Sequence, residues 1–313
     1  MFIAQAYRVK HEFWRYILGF GIVGFAYAVG QLPFMGALLI AVGWEKIEFL
    51  EKSELMTVLD NNTTLFLILF CFLIALIGMI VAIRFLHEQD IRAVTTTRNH
   101  VDWKRIFFIF FVTAVFIFTL TIIDFQMNPQ HYIWNFQWKP FLILCCIAIP
   151  MFPIQTSFEE YLFRGYLMQG VGVLAKNKWV PLFMTSVLFG ALHWSNPESE
   201  KLGVIVMLYY IGTGLFLGII TLMDEGMELA LGFHAANNLV TSLLVTADWS
   251  VLQTNSILED VSEPSTGIDI LLPVFIFYPL VILLLAKKYK WNGWKEKLFG
   301  RVSSEINQQH ITQ

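Results

Sequence analysis

The chain reads as an all-α polytopic membrane protein that crosses the bilayer about eight times, N-in and C-in. Three observations lead to that reading. Hydrophobic residues make up 57% of the sequence and charged residues only 14%, with a mean hydropathy of +0.62; a soluble domain carries roughly a quarter charged residues. Apolar stretches recur at the length of about 20 residues that a helix needs to cross hydrocarbon. Lysine and arginine gather on alternate connections between those stretches, as the positive-inside rule requires. The 29 phenylalanines and ten tryptophans suit lipid-facing surfaces and interfacial belts.

The first span runs from Trp14 to Val42, with Pro33 as an expected kink. It is longer than the apolar region of about 7–15 residues in a cleavable signal peptide and lacks a small-residue cleavage site, so it is expected to remain as a helix. Glu45 to Asn62 is charged and partly apolar, and reads equally as an interfacial helix or a solvated loop. Thr64 to Leu86 and Ile106 to Phe125 supply the next two spans. A fourth begins near Pro140, is bent by Pro150 and Pro153, and leads into the run Ser157-Phe158-Glu159-Glu160-Tyr161-Leu162-Phe163-Arg164-Gly165. Val180 to Trp194, Gly203 to Met223, Met227 to Val245 and Ile270 to Ala286 complete the set. Lys287 to Arg301, with Trp291 and Trp294, reads as a basic aromatic anchor against anionic lipid. Val302 to Gln313 is polar and reads as a frayed end.

The charges test this count. An inside N-terminus gives the cytoplasmic segments Arg8, Lys10, Arg15, Arg84, Arg92, Arg98, Lys104, Arg105, Lys176, Lys178 and the basic tail. The opposite side keeps only Lys46, Lys52, Lys139 and Lys201, while Glu259, Asp260 and Glu263 occupy an external loop free of lysine and arginine. Cys71, Cys145 and Cys146 fall in apolar runs without Cys-x-x-Cys spacing and read as small buried hydrophobes. Gly214-x-x-x-Gly218, with Gly190, Gly212 and Gly232, reads as close helix packing.

Against that apolar background the polar residues stand out. A charged group at the bilayer centre costs about 2.5–3.5 kcal/mol on insertion scales, so such groups face a protein interior or a watery cavity and usually serve chemistry or transport. Glu160 and Arg164 are four apart and share a helix face, whereas Glu159 points roughly 100° away. Arg164 can neutralise Glu160, leaving Glu159 to act on water as a general base. Taken alone, both glutamates could equally pair with Arg164 only to lock helices. His193 follows Phe189 by one turn, and by itself is as readily a core-satisfied or interfacial histidine. His234 and Asn238 are one turn apart and can point into one cavity as donors to a developing oxyanion, or join helices through polar contacts.

In this order, on successive apolar helices, the three groupings resemble the CPBP family of intramembrane proteases, also called the Abi family, which includes the Ras-converting CAAX endoprotease. Its motifs Glu-Glu-x-x-x-Arg, Phe-x-x-x-His and His-x-x-x-Asn read here as Glu159-Glu160…Arg164, Phe189…His193 and His234…Asn238. The resemblance spans Pro140 to Val245. It implies that Glu159 and His193 activate the attacking water, that His234 and Asn238 stabilise the tetrahedral oxyanion, and that Glu160 and Arg164 organise the site. Residues 1–139 then form an N-terminal unit of about three spans, 140–245 the catalytic helical core, and 246–313 an external loop, the last span and a basic tail.

The expected activity is hydrolysis of a peptide bond within or beside the membrane. The favoured mechanism requires no cofactor. A Zn²⁺ ion held by Glu159, His193 and His234 is a second possibility, since two histidines and a carboxylate are a plausible zinc set, although no His-Glu-x-x-His is present. Expected partners are membrane lipid and a peptide or protein substrate, prenylated or otherwise hydrophobic, with no nucleic acid. The expected location is a bacterial inner (plasma) membrane. A non-enzymatic transporter or a bacteriocin-immunity adaptor is the competing class; the chain shows neither an inverted repeat nor a matched pair of broken helices.

Overall fold

The computed structural model describes residues 1–264 and 267–303. Among the described residues nine main helices follow one another: α1 Phe13–Val42, α2 Asn61–Val81, α3 Trp103–Met127, α4 Trp138–Glu160, α5 Met168–Ala175, α6 Trp179–Leu192, α7 Val204–Asp224, α8 Glu228–Leu244 and α9 Tyr278–Tyr289. The architecture is that of an all-α polytopic membrane protein. Among the described residues, five helical stretches are long and apolar enough to cross a bilayer: Phe13–Val42, Asn61–Leu86, Trp103–Met127, Trp138–Ala175 and Val204–Asp224. The other expected crossings, at α6, α8 and α9, are shorter, with 14, 17 and 12 residues respectively.

Burial separates the periphery from the centre. Only 11% of the apolar windows of α1 and α3 is buried, against 44% for α7. Side chains such as Phe25, Ile40, Phe111 and Val115 are exposed on α1 and α3, which is the arrangement expected of helices that face hydrocarbon. α1 packs chiefly on α2, α2 on α4, α8 on both α3 and α4, and α7 on α6. A cluster of Val23, Ala75, Met79, Phe158, Leu162, Phe163 and Phe189 links α1 and α2 to the glutamate-bearing helix.

Local chemistry sets the helix ends. Asp60 caps α2 by accepting from Thr63 N–H at 3.1 Å, and Asp102 caps α3 from Lys104 N–H at 3.0 Å. α4 runs without interruption through Pro150 and Pro153 and continues as a π turn over Tyr161–Leu167. The connections collect at two ends. At one, Gln5 reaches Ala93 O, Arg98 reaches Asp224, and Lys178 N–H reaches Gly300 O. At the other, Asn62 reaches Pro140 O, Asn135 N–H reaches Ile257 O, and Val251 N–H reaches Glu198.

Three expectations need revision. The Glu45–Asn62 stretch contains two short helices, Trp44–Ile47 and Lys52–Thr57, rather than one continuous element. Cys71 is buried, but Cys145 is half-buried and Cys146 exposed, because they sit on the outward side of α4 where the surrounding solvent is lipid. Val302 is docked rather than frayed: it is buried and its N–H reaches Lys176 O at 3.0 Å. The remainder of that expected frayed end, 304–313, lies outside the described residues. Beside the helices, a small three-stranded sheet in the order β1-β3-β2 closes one end, built from Tyr132–Trp134 (β1), Val245–Ala247 (β2) and Leu258–Asp260 (β3). β1 pairs antiparallel with β3, Ile133 opposite Glu259, and β2 pairs parallel with β3, Thr246 opposite Glu259.

Candidate active site

Glu159 and Glu160 end α4, and Arg164 lies in the π turn that follows. Single π turns inside helices are uncommon and cluster at functional sites. Arg164 Nη1 donates to Glu160 Oε1 at 2.9 Å, and both side chains are fully buried. Arg164 Nη2 crosses to α7 and donates to Gly214 O at 3.2 Å. That carbonyl is within reach because position 214 has no side chain: a Cβ there would come within 2.9 Å of Ser186 Cα on α6. Phe189 lies against the arginine face, 4.5 Å from its guanidinium carbon, a desolvated cation–π contact.

His234, on α8, joins the two carboxylates. Its Nδ1 lies 2.8 Å from Glu160 Oε1, and its Nε2 lies 3.5 Å from Glu159 Oε2. The Nδ1 contact orients the ring, since a carboxylate can only accept, and leaves Nε2 directed to the Glu159 side. Glu160 Oε1 thus serves two donors while Oε2 is buried and unpartnered.

Asn238, one turn further along α8, is tied to Glu159 through a residue that the motifs do not contain. Asn238 Nδ2 donates to Gln155 Oε1 at 3.0 Å, and Gln155 Nε2 donates to Glu159 Oε1 at 2.6 Å. Gln155 lies one turn before Glu159 on α4 and is only 6% exposed. Its spacing of four from Glu159 was the available signal, but a single glutamine in an apolar run reads first as helix-joining polarity.

His193 sits in the 3₁₀ turn Ser195 closes after α6. Its Nδ1 lies 2.7 Å from Phe189 O, so it satisfies one of the orphan carbonyls at the helix end. The opposite nitrogen, Nε2, is then the acceptor side of a neutral ring. Its ring stacks on Tyr210 with centroids 4.2 Å apart and planes at 24°. Tyr210 was not distinguishable in the sequence from other aromatic residues of the α7 run. Among the described residues His193 makes no direct hydrogen bond to Glu159; Phe189 lies between the groupings, its ring centroid 4.8 Å from His193 and 6.0 Å from His234.

The structure therefore gathers Glu159, Glu160, Arg164, His234 and Asn238 into one bonded cluster, with His193 alongside across Phe189. Zinc would need three ligand atoms at about 2.0–2.2 Å from a common point. Among the described residues no group of three His, Cys, Asp or Glu side chains is arranged to hold a metal ion. The Nδ1 atoms of His193 and His234 are engaged by Phe189 O and Glu160 Oε1, the kind of outer partner a metal-bound histidine has, so Nε2 is the nitrogen each ring leaves for a ligand.

The chain matches the sequence profile of the Rce1-like family, described as type II CAAX prenyl endopeptidase Rce1-like, over residues 134–240. That stretch contains all three motifs and the cluster they form. The chain is also 33% identical over 246 residues to the uncharacterized protein YyaK of Bacillus subtilis (strain 168), covering 77% of this chain and 81% of that protein. No solved structure matches. With that identity across most of both chains, and the family profile lying over the helices that carry the site, the chain belongs to the Rce1-like (CPBP) family of membrane endopeptidases.

Proposed function

We propose that the protein hydrolyses a peptide bond within or beside the membrane, using water activated by Glu159, on a prenylated or otherwise hydrophobic peptide. The observation that carries this reading is the placement of one carboxylate, Glu159, between the amide of Gln155 and the imidazole of His234, inside an apolar bundle. Glu160 is committed to Arg164 and His234, so Glu159 is the carboxylate available for proton transfer.

In this mechanism Glu159 takes a proton from water as the oxygen attacks the scissile carbonyl carbon. His193, aligned by its bond to Phe189 O and by Tyr210, assists with Nε2. The negative charge that forms on the carbonyl oxygen is met by the amide of Asn238, and by His234 when its Nε2 carries a proton. Collapse of the tetrahedral species breaks the C–N bond, and the proton held by Glu159 passes to the leaving amine. Glu160 and Arg164 keep His234 in place. No step is routed through a metal.

The direct test uses purified protein in lipid nanodiscs with a fluorogenic farnesylated CAAX-type peptide. Wild type is compared with Glu159→Ala and His193→Ala, with and without chelator, and metal content is read by elemental analysis. Cleavage that persists in both variants would falsify the assigned roles. Loss of wild-type cleavage in chelator, restored by Zn²⁺, would replace the carboxylate-only mechanism with a metal-dependent one.

A further inference from the structure

The geometry points to Gln155 as a positioning residue that couples the water-activating carboxylate to the oxyanion donor. This inference rests on the endopeptidase reading and adds to it a residue outside the three motifs.

Three side-chain bonds run in one direction. Asn237 Nδ2 donates to Asn238 Oδ1 at 3.1 Å, Asn238 Nδ2 to Gln155 Oε1 at 3.0 Å, and Gln155 Nε2 to Glu159 Oε1 at 2.6 Å. The direction is fixed at its end, because a carboxylate accepts and cannot donate. Turning the Gln155 amide over would set its oxygen against the Glu159 oxygen and its N–H₂ against the Asn238 N–H₂. The anion therefore selects the Gln155 orientation, and Gln155 selects that of Asn238. Asn237 reinforces the choice by occupying Asn238 Oδ1.

Two consequences follow for the reaction. Asn238 Nδ2 carries two N–H groups; one is used on Gln155, so the other is held in a defined direction as a donor. Glu159 Oε1 is likewise occupied by Gln155, which leaves Oε2, the oxygen on the His234 side, for the water. Gln155 thus sets the spacing between the group that launches the nucleophile and the group that receives the negative charge. Misplacement of about 1 Å in such a relation can cost roughly 10²-fold in rate.

The test measures kcat and KM of full-length protein in nanodiscs on the farnesylated CAAX-type peptide. Gln155→Met preserves length and removes both bonds. It is expected to lower kcat roughly 10- to 100-fold with KM within about twofold. The decisive readout is a double-mutant cycle with Asn238→Ala: Gln155→Met should cost several-fold less in that background than in wild type. Thermal unfolding midpoints, followed in parallel, report any purely structural effect. Additive losses, or a Gln155→Met kcat within about twofold of an active wild type, overturn the assignment of Gln155 alone. A wild type that leaves the peptide intact overturns the endopeptidase reading on this substrate class, and this inference with it.

Discussion

His234 and Arg164 converge on a single oxygen atom: Glu160 Oε1 lies 2.8 Å from His234 Nδ1 and 2.9 Å from Arg164 Nη1. A residue from α8 and a residue from the π turn are therefore fixed by one acceptor. Removing that acceptor does two separable things. Glu160→Ala leaves the fully buried Arg164 without its anion, a change that typically costs about 3–5 kcal/mol. Replacing both partners, as Glu160→Met with Arg164→Met, should recover much of the thermal stability, since buried ion pairs are often exchangeable for apolar side chains. Activity should not return, because His234 still lacks its Nδ1 partner. Unfolding midpoints and turnover measured on the same preparations check both halves.

Glu159→Gln is the converse case. Glu159 is not part of the buried ion pair, and glutamine preserves its shape, so the midpoint should stay close to wild type. Turnover should fall by about 10² to 10⁴, the usual contribution of a general base. A Glu159→Gln protein that retains more than a tenth of wild-type kcat/KM would remove Glu159 from the chemistry.

Asn238→Ala should lower kcat by about 10² to 10³ while leaving KM little changed, the signature of a group that acts on the oxyanion. A rise in KM at constant kcat would instead place Asn238 in substrate binding.

Glu198 supplies a pH dependence of stability. It lies between α6 and α7, accepts from Val251 N–H at 2.9 Å, and burial pushes its carboxyl above the usual carboxylate range. A pKa raised in the folded protein means that folding favours the protonated form. The contribution of this group is most favourable below the unfolded glutamate value of about 4.3 and is lost as pH rises through the higher folded value. Glu198→Gln should therefore raise the unfolding midpoint at pH 7 to 8, with the gain shrinking toward about pH 4. Equal gains at both pH values would show that the carboxyl is not responsible.

The parts of the fold that were readable in the sequence are those that the bilayer dictates. Runs such as Thr64 to Leu86 and Ile106 to Phe125 stand out because hydrocarbon admits few polar side chains, and the helices found there begin within a few residues of the expected starts. Strands of three residues carry no periodicity long enough to detect, so the sheet at Tyr132–Trp134 and Leu258–Asp260 had no readable signal. Within the site, the spacing of Glu160 and Arg164 announces their contact, because both partners lie on one helix. The bond from His234 to Glu160 joins residues 74 apart in sequence, which no local pattern encodes. Gln155 and Tyr210 escaped for a related reason: each gains its meaning from a partner on another element, Asn238 and His193 respectively.

The π turn at Tyr161–Leu167 has a consequence for how this chain can change. A π turn holds one residue more than the helix around it needs, so the segment is in effect a stored insertion. Deleting a single residue there would let the turn relax to ordinary α geometry without breaking the helix. Because the spare residue is taken up within the turn itself, the helix downstream would keep its phase relative to Glu159 and Glu160. Gly170, whose missing Cβ makes room for Tyr16, would then keep its neighbour. Among the described residues the same wide turn recurs at Ala82–Leu86 and Pro273–Phe277, so a change of one residue in length has three places along these helices that can absorb it.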